Sequence, residues 1–425
     1  MKHFSFLIPA IGLLFFAASC HRGNSIIISN NDDNLYINYQ GEIQFTDDET
    51  AIKSITPNGF LKYTRNDRKL IAENGIHGEI KYDLDYGGKK LNPNDADGKQ
   101  FMADVIKDMI QIGFDAKGRM ERLYKKGGAE AVLNEVQNMK ADYVKGLYLE
   151  YLLATDSLSQ YEIKEIAKKI GSQIGSDYDK GRLLVKFPFD YLRDSLTTHA
   201  WFEAVKTIGS DYEKANALTY IARQPITPEQ FNQTVDVANT IGSDYDKANI
   251  LKELIFKRTF TEDNFDKTLD AVSYIGGDYE KANLLKALIE KEKPSGDHFN
   301  KLIDVTQHLG SDYDKANLIR EMIETGLPAG ASFDKLLSAV IHTGSEFDKA
   351  NMLRDITTKN IATNEQWISI INATGEISSD ADKSNFLVSI APSIPKNDSV
   401  KTAFMRAART INNESDLGRT IKAME

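Results

Sequence analysis

Seven carboxylates return at one position of a repeated phrase: Asp177, Asp211, Asp244, Asp278, Asp312, Glu346 and Asp380, spaced by 33 or 34 residues. Several carry a second acid two residues on, as in Asp177/Asp179, Asp244/Asp246 and Asp312/Asp314. Acid pairs of this kind could form a metal ladder or a set of general acids and bases. Their setting supplies a simpler chemistry. Each pair falls on the expected first turn of a helix, where a carboxylate complements the helix dipole by about 0.3–1 kcal/mol. A lysine follows the first acid by three residues, at Lys180, Lys214, Lys247, Lys281, Lys315, Lys349 and Lys383. That spacing pairs lysine with acid along one helix face.

Other chemistry-bearing groups are sparser. Asp95-Ala96-Asp97-Gly98 resembles part of a calcium loop, but its first ligand position falls on Pro93 and its twelfth on Asp104. A polar turn before a helix accounts for it. Asp47-Asp48-Glu49 reads as a solvated bend between strands. His308 and His342 share one repeat position, four residues before the acid, and a zinc site needs more ligands than this pair. The sequence shows no nucleophile elbow, phosphate loop or nucleotide-binding glycine fingerprint. No cofactor, metal or catalytic residue is expected, and an enzyme is not indicated.

Asparagine is the more telling residue. Asn216, Asn249, Asn283, Asn317, Asn351 and Asn385 recur inside an expected helix, where Asn is a poor helix former. At 100° per residue, Ala248, Leu251, Leu254 and Ile255 gather on one side, and Asn249 falls opposite them beside Tyr245. The same geometry joins Tyr279 to Asn283 and Tyr313 to Asn317. Two readings are open. The strip of Tyr245, Asn249, Tyr279, Asn283, Tyr313, Asn317 and Asn351 is either a partner-binding surface or a set of side chains reaching sideways to clasp neighbouring repeats.

The elements that position these groups follow from the period. A repeat of about 34 residues marks a stacked architecture. In residues 228–257, Phe231, Val235, Ala238 and Ile241 mark one helix face, Gly242 is suited to a left-handed stop, and Ser243 caps a second helix. Phe265, Phe299, Phe333 and Trp367 hold the aromatic position in later units. Hairpins of this kind bury their apolar faces only by stacking. The fold class is mainly α, an α-solenoid of helical hairpins with an N-terminal β-rich domain. The length matches a tetratricopeptide unit, but that family's residue signature is absent.

Residues 25–91 alternate with period two between turn signals, giving a small antiparallel β domain of about five strands. Residues 92–140 form a helical connector, with helices over about 98–113, 117–126 and 129–139. The solenoid covers 141–425. At the N-terminus, Lys2 and His3 precede an apolar run, then Ala17-Ala18-Ser19 and the single cysteine, Cys20. This reads as a signal peptide over 1–19 and a tether over 20–24. It resembles a bacterial lipoprotein signal, which implies a lipidated Cys20 and attachment to a membrane. His21-Arg22-Gly23-Asn24 lacks an acidic run, which favours a periplasm-facing anchor. The net charge is −10, so nucleic acid is not an expected partner.

Gly41-Glu42-Ile43-Gln44-Phe45-Thr46-Asp47-Asp48-Glu49-Thr50, then Ile55-Thr56-Pro57-Asn58-Gly59-Phe60-Leu61, then Gly128-Ala129-Glu130-Ala131-Val132-Leu133 precede the Asp-Tyr-Asp-Lys repeats. This order resembles the extracytoplasmic region attached to some bacterial beta-lactam-sensor-like membrane metalloproteases. The protease's His-Glu-x-x-His motif is absent. The resemblance therefore implies a non-catalytic envelope module for sensing or scaffolding. The expected function is a lipid-anchored binding or scaffold protein holding a protein, peptide or glycan. The alternatives are a passive spacer for the β domain and an enzyme whose site the sequence does not show.

Overall fold

The computed structural model describes residues 24–425 except 31, 32, 76, 157, 258, 259, 360 and 362. Cys20, the expected signal segment 1–19 and tether residues 20–23 lie outside the described residues. The chain divides into two compact units, Met1–Ala200 and Trp201–Glu425. Among the described residues no helix is long and apolar enough to cross a membrane.

The first unit opens with β1 (Asn24–Asn30), β2 (Asp33–Gln40), β3 (Ile43–Phe45), β4 (Ile52–Ile55), β5 (Phe60–Arg65), β6 (Arg68–Asn74), β7 (Ile80–Tyr86) and β8 (Lys89–Leu91). Six of them form one antiparallel sheet in the order β1-β2-β5-β6-β7-β8, and β3 pairs with β4 alone. The expectation of about five strands is too low. Strands of three or four residues offer too few alternations to be read from sequence. Left-handed backbone makes the tight turns, at Asn66 (φ 52°) and at Gly87 and Gly88 (φ 60° and 82°), matching the twist of the strands they join.

The period-two pattern puts Leu35, Ile37, Leu61, Tyr63, Leu70 and Leu84 into one core. Against them α1 (Ala96–Gln111) brings Phe101, Val105, Ile106 and Met109. Asp95 caps α1 by accepting the Gly98 N–H at 2.8 Å. Gly113, at φ 83°, ends it as expected. On α1, Asp108 accepts the Tyr63 hydroxyl at 2.8 Å and pairs with Arg65 at 3.1 Å and Arg68 at 2.8 Å. Burial, then the hydrogen bond to Asp108, pushes the Tyr63 phenol well above its ordinary range.

Next comes α2 (Ala116–Asn138), which is two helices joined at a kink. Gly127 and Gly128 leave helical geometry there, with Gly128 at φ 65°, so the two expected connector helices are its halves. Arg119 of α2 is buried between the Glu49 and Glu135 carboxylates and reaches the Tyr148 hydroxyl of α3 (Asp142–Leu153). Repeat geometry begins with α3, α4 (Gln160–Gln173), α5 (Asp177–Val185) and α6 (Ser195–Lys206). One Asp142 carboxylate oxygen accepts both the Gly175 and Ser176 N–H groups at 2.8 Å.

The second unit repeats this arrangement in two rows. Its second-helix row is α7 (Asp211–Ala222), α9 (Asp244–Lys257), α11 (Asp278–Glu292), α13 (Asp312–Thr325), α15 (Glu346–Thr357), α17 (Asp380–Ile390) and α19 (Glu414–Lys422). Its first-helix row is α8 (Pro228–Ala238), α10 (Glu262–Ser273), α12 (Gly296–Gln307), α14 (Ala331–Ile341), α16 (Asn364–Ala373) and α18 (Asp398–Ala408). Each helix packs on the next in its own row, α7 on α9 and α8 on α10 onward. Phe231, Phe265, Phe299, Phe333 and Trp367 are buried between them. This is the expected α-solenoid of helical hairpins.

The recurrent acid has a role beyond the helix dipole. Asp211 accepts the Gly242 and Ser243 N–H groups, Asp244 those of Gly276 and Gly277, Asp278 those of Gly310 and Ser311, all between 2.9 and 3.0 Å. Glu346 takes Ser378 at 2.7 Å, and Asp380 takes Asn412 and Asn413. Asp211, Asp244, Asp278, Glu346 and Asp380 thus grip the turn of the following repeat. The glycine of the phrase is explained by this grip. Gly242 is not among the left-handed glycines, contrary to expectation. A Cβ there would stand 3.2 Å from Asp211 Oδ2, and one at Gly310 would stand 2.9 Å from Asp278 Oδ2. Ser378 and Asn412 occupy the position in later units, and Asp380 still accepts Asn412 and Asn413 at 3.0 and 2.9 Å, so the turn also admits a side chain there.

The lysines divide between two tasks. Lys315 and Lys349 pair with Asp312 and Glu346 along the helix, as expected. Lys214 and Lys383 depart from that expectation. They reach Thr240 and Thr410 at the end of the next first helix, because their ammonium groups are buried under that helix and need a partner there.

Removing one clamp tests its weight. Asp278→Ala strips the acceptor from two turn N–H groups and is expected to lower stability by about 1–3 kcal/mol in urea unfolding. Asp278→Asn keeps an acceptor and should cost less. A second test uses pH. Burial works to raise the pKa of Asp142 and Glu346, but the neighbouring lysine and the clamped N–H groups outweigh it and hold both below their ordinary range. Such carboxylates contribute stability above their unfolded pKa of about 4, and the contribution is lost as pH falls through the folded value. The urea midpoint should stay level from neutral pH to about pH 5 and drop below about pH 4. Glu346→Gln should remove part of that drop.

Candidate functional site

The tyrosines stand on the outer face of the second helices because the four apolar residues of each helix claim the opposite side. Tyr245, Tyr279 and Tyr313 are 68 %, 72 % and 74 % exposed, and Phe347 continues the row at 66 %. Asn249, Asn283 and Asn317 lie one turn on and are also exposed. Their carboxamides make no hydrogen bond among the described residues. Asn351 differs: it is half-buried, and its carbonyl oxygen accepts from Arg354 at 2.7 Å. Acids such as Asp244 and Asp278 supply hydrogen bonds between successive repeats, whereas Asn249, Asn283 and Asn317 supply none among the described residues.

Between α9 and α11 the strip lines a groove of about 380 Å³. Tyr245 and Asn249 come from one helix, Tyr279 and Asn283 from the next, and Ala248, Leu284 and Ala287 form an apolar floor. The structure therefore brings four of the expected strip residues to one groove. Tyr313 and Asn317 stand at the same places on α13.

A row of cations accompanies the strip, as the repeated Lys/Arg position beside each Asn led one to expect. Lys252, Lys286, Arg320 and Arg354 each sit eight residues after the helix's first acid. The Lys252 ammonium lies 6.0 Å from the centroid of the exposed Phe256 ring. Lys286 is held by Glu321 at 3.4 Å and Glu290 at 3.6 Å, and Glu321 leads in raising its pKa.

The remaining candidates resolve into structure. Asp48 accepts from Thr46 and Thr50 within its own bend. The Nδ1 atoms of His308 and His342 lie 2.6 and 2.7 Å from the carbonyl oxygens of Asp304 and Ser338, each on its own helix. Among the described residues no group of three or more His, Cys, Asp or Glu could hold a metal ion.

The fold and this surface define a helical-repeat protein with an antiparallel sheet at its N-terminus. No family model matches the sequence, and no curated protein matches it. A solved structure described as a circular tandem repeat protein with novel repeat topology and enhanced subunit contact surfaces is similar at 11 % identity over 78 % of each chain. Its TM-score of 0.16 is too low for the two folds to be equated.

The exposed strip makes a signed prediction. Asn249→Ala, Asn283→Ala and Asn317→Ala together should leave the unfolding midpoint unchanged or raise it, since Ala is the better helix former by up to about 0.7 kcal/mol per site. A large fall in the midpoint of the triple variant, read by circular dichroism, would assign these residues to holding the repeats together.

Proposed function

We propose that this chain is a lipid-anchored protein of the bacterial envelope that holds a protein, peptide or glycan partner on the outer face of its second helices. The observation that carries the reading is the exposed row of Tyr245, Tyr279, Tyr313 and Phe347, with a carboxamide beside each tyrosine. Exposed aromatic rings gain nothing for a core, and Asn inside a helix works against its stability. A scaffold surface repeated along a solenoid uses both: flat apolar rings for contact area and amides for direction. The reading is non-enzymatic. Lipidation at Cys20 supplies the membrane attachment, and His21-Arg22-Gly23-Asn24 favours a periplasm-facing site.

The two halves of the proposal are tested in one series. Cys20→Ala should move the protein from the membrane pellet to the soluble fraction; a variant that still pellets with membranes removes the lipid anchor. Replacing Tyr245, Tyr279 and Tyr313 by Ala should abolish what the wild-type chain retains from detergent-solubilised envelopes, at an unchanged unfolding midpoint. Full retention by that variant would take the strip out of the binding site.

A further inference from the structure

The groove between α9 and α11 sets tyrosine rims and carboxamides over an apolar floor, with Lys252, Lys286, Glu280 and Glu290 also in its lining. Resting on the binding reading above, we propose that its occupant is an extended, polyproline-type polypeptide segment with carboxylates toward its ends.

The first argument is spacing. Neighbouring helices pack about 8–10 Å apart. A polyproline II chain rises about 3.1 Å per residue with three residues per turn, so the same face returns about every 9.3 Å. One step of the solenoid therefore equals one turn of such a ligand. An aliphatic side chain at every third position meets the notch between successive helices, floored in the first notch by Ala248, Leu284 and Ala287. The four helices α9, α11, α13 and α15 accommodate a segment of roughly 9–12 residues.

The second argument is hydrogen bonding. A polyproline-type chain makes no internal hydrogen bonds, so its peptide groups are free. An Asn carboxamide presents both a donor and an acceptor, the complement of a peptide unit. A helical ligand spends its amides internally. A polysaccharide carries hydroxyls along its length, and those facing the apolar floor would go unpaired at a cost.

The third argument is charge. In the cation row, Lys286 is paired with Glu290 and Glu321, and Arg320 with Asp348 and Asp355. Lys252 and Arg354, at the two ends, make no ion pair among the described residues; one rests on Phe256 and the other on Asn351. Two cations without a salt-bridge partner, about three helix spacings apart, favour a carboxylate near each end of the ligand. The chain's net charge of −10 is screened by salt beyond about 8 Å; of the two acids that line the groove, Glu290 is paired with Lys286, and Glu280 lies away from the ligand's ends, where the carboxylates are placed.

Fluorescence anisotropy on the full chain tests this with labelled peptides built of Leu-Pro-Pro units between terminal Glu residues. Affinity should rise several-fold with each added unit up to about three or four units and then level off. Peptides flanked by Lys should bind about tenfold more weakly, and Tyr279→Ala with Asn283→Ala should weaken binding by a similar factor. Absence of saturable peptide binding, or affinity independent of length, overturns the proposal. Binding of soluble cell-wall glycan fragments without peptide binding would assign the groove to a polysaccharide. If the peptides fail while the tyrosine variant still loses its envelope partner, the binding surface stands and only this inference falls.

Discussion

The interaction on which the repeat architecture depends is a carboxylate that reaches out of one repeat and accepts backbone N–H groups from the turn of the next. A helical hairpin cannot bury its apolar face alone, so each unit needs a partner at a fixed offset. Hydrophobic contact supplies most of the driving force but little direction. The acid supplies direction. In the best examples one oxygen, as in Asp142, Asp211 or Asp278, takes two successive N–H groups that would otherwise point into a half-buried turn without a partner. Where the same carboxylate oxygen meets the same two turn amides, as at Asp211, Asp244 and Asp278, register carries over from one repeat to the next.

That division of labour leaves the outer face of the second helices free. The clamp operates at the helix start, the buried phenylalanines fill the space between rows, and Lys214 and Lys383 reach the end of the following first helix. Tyr245, Tyr279 and Tyr313 take no part in any of this. Their exposure and their recurrence in register are what the proposed binding role rests on. The clamp repeats along the same helices that carry the row, so the two share one period.

The first unit solves a different problem with similar means. Its sheet presents one apolar face, and α1 covers it. Asp108 then ties α1 to the turn between β5 and β6 through Arg65, Arg68 and the Tyr63 hydroxyl. Arg119 gathers Glu49, Glu135 and Tyr148, joining the β3–β4 hairpin to α2 and α3. In both places a buried or half-buried charge is met by opposite charge, as burial requires.

Much of this was legible in the chain itself. The 34-residue period, the hairpin of each unit, the apolar faces, the serine caps and the break at Gly127-Gly128 all follow from local rules, because helix periodicity and capping act within a few residues. The exposed side of Asn249 followed too, from angle alone. The number of strands did not, since β3, β4 and β8 are too short to show a pattern. Nor did the partner of the repeated acid. Locally, Asp244 is a good first-turn residue, and sequence gives no reason to look further; only the stacking of one repeat on the next brings its oxygen to the amides of Gly276 and Gly277. The same holds for the groove. Tyr245 and Tyr279 are 34 residues apart in the chain, and they face one space only because tertiary packing sets α9 beside α11. Sequence determined which side chains recur and which way each one points from its own helix. The contacts between helices, which no local rule contains, decided what those side chains meet.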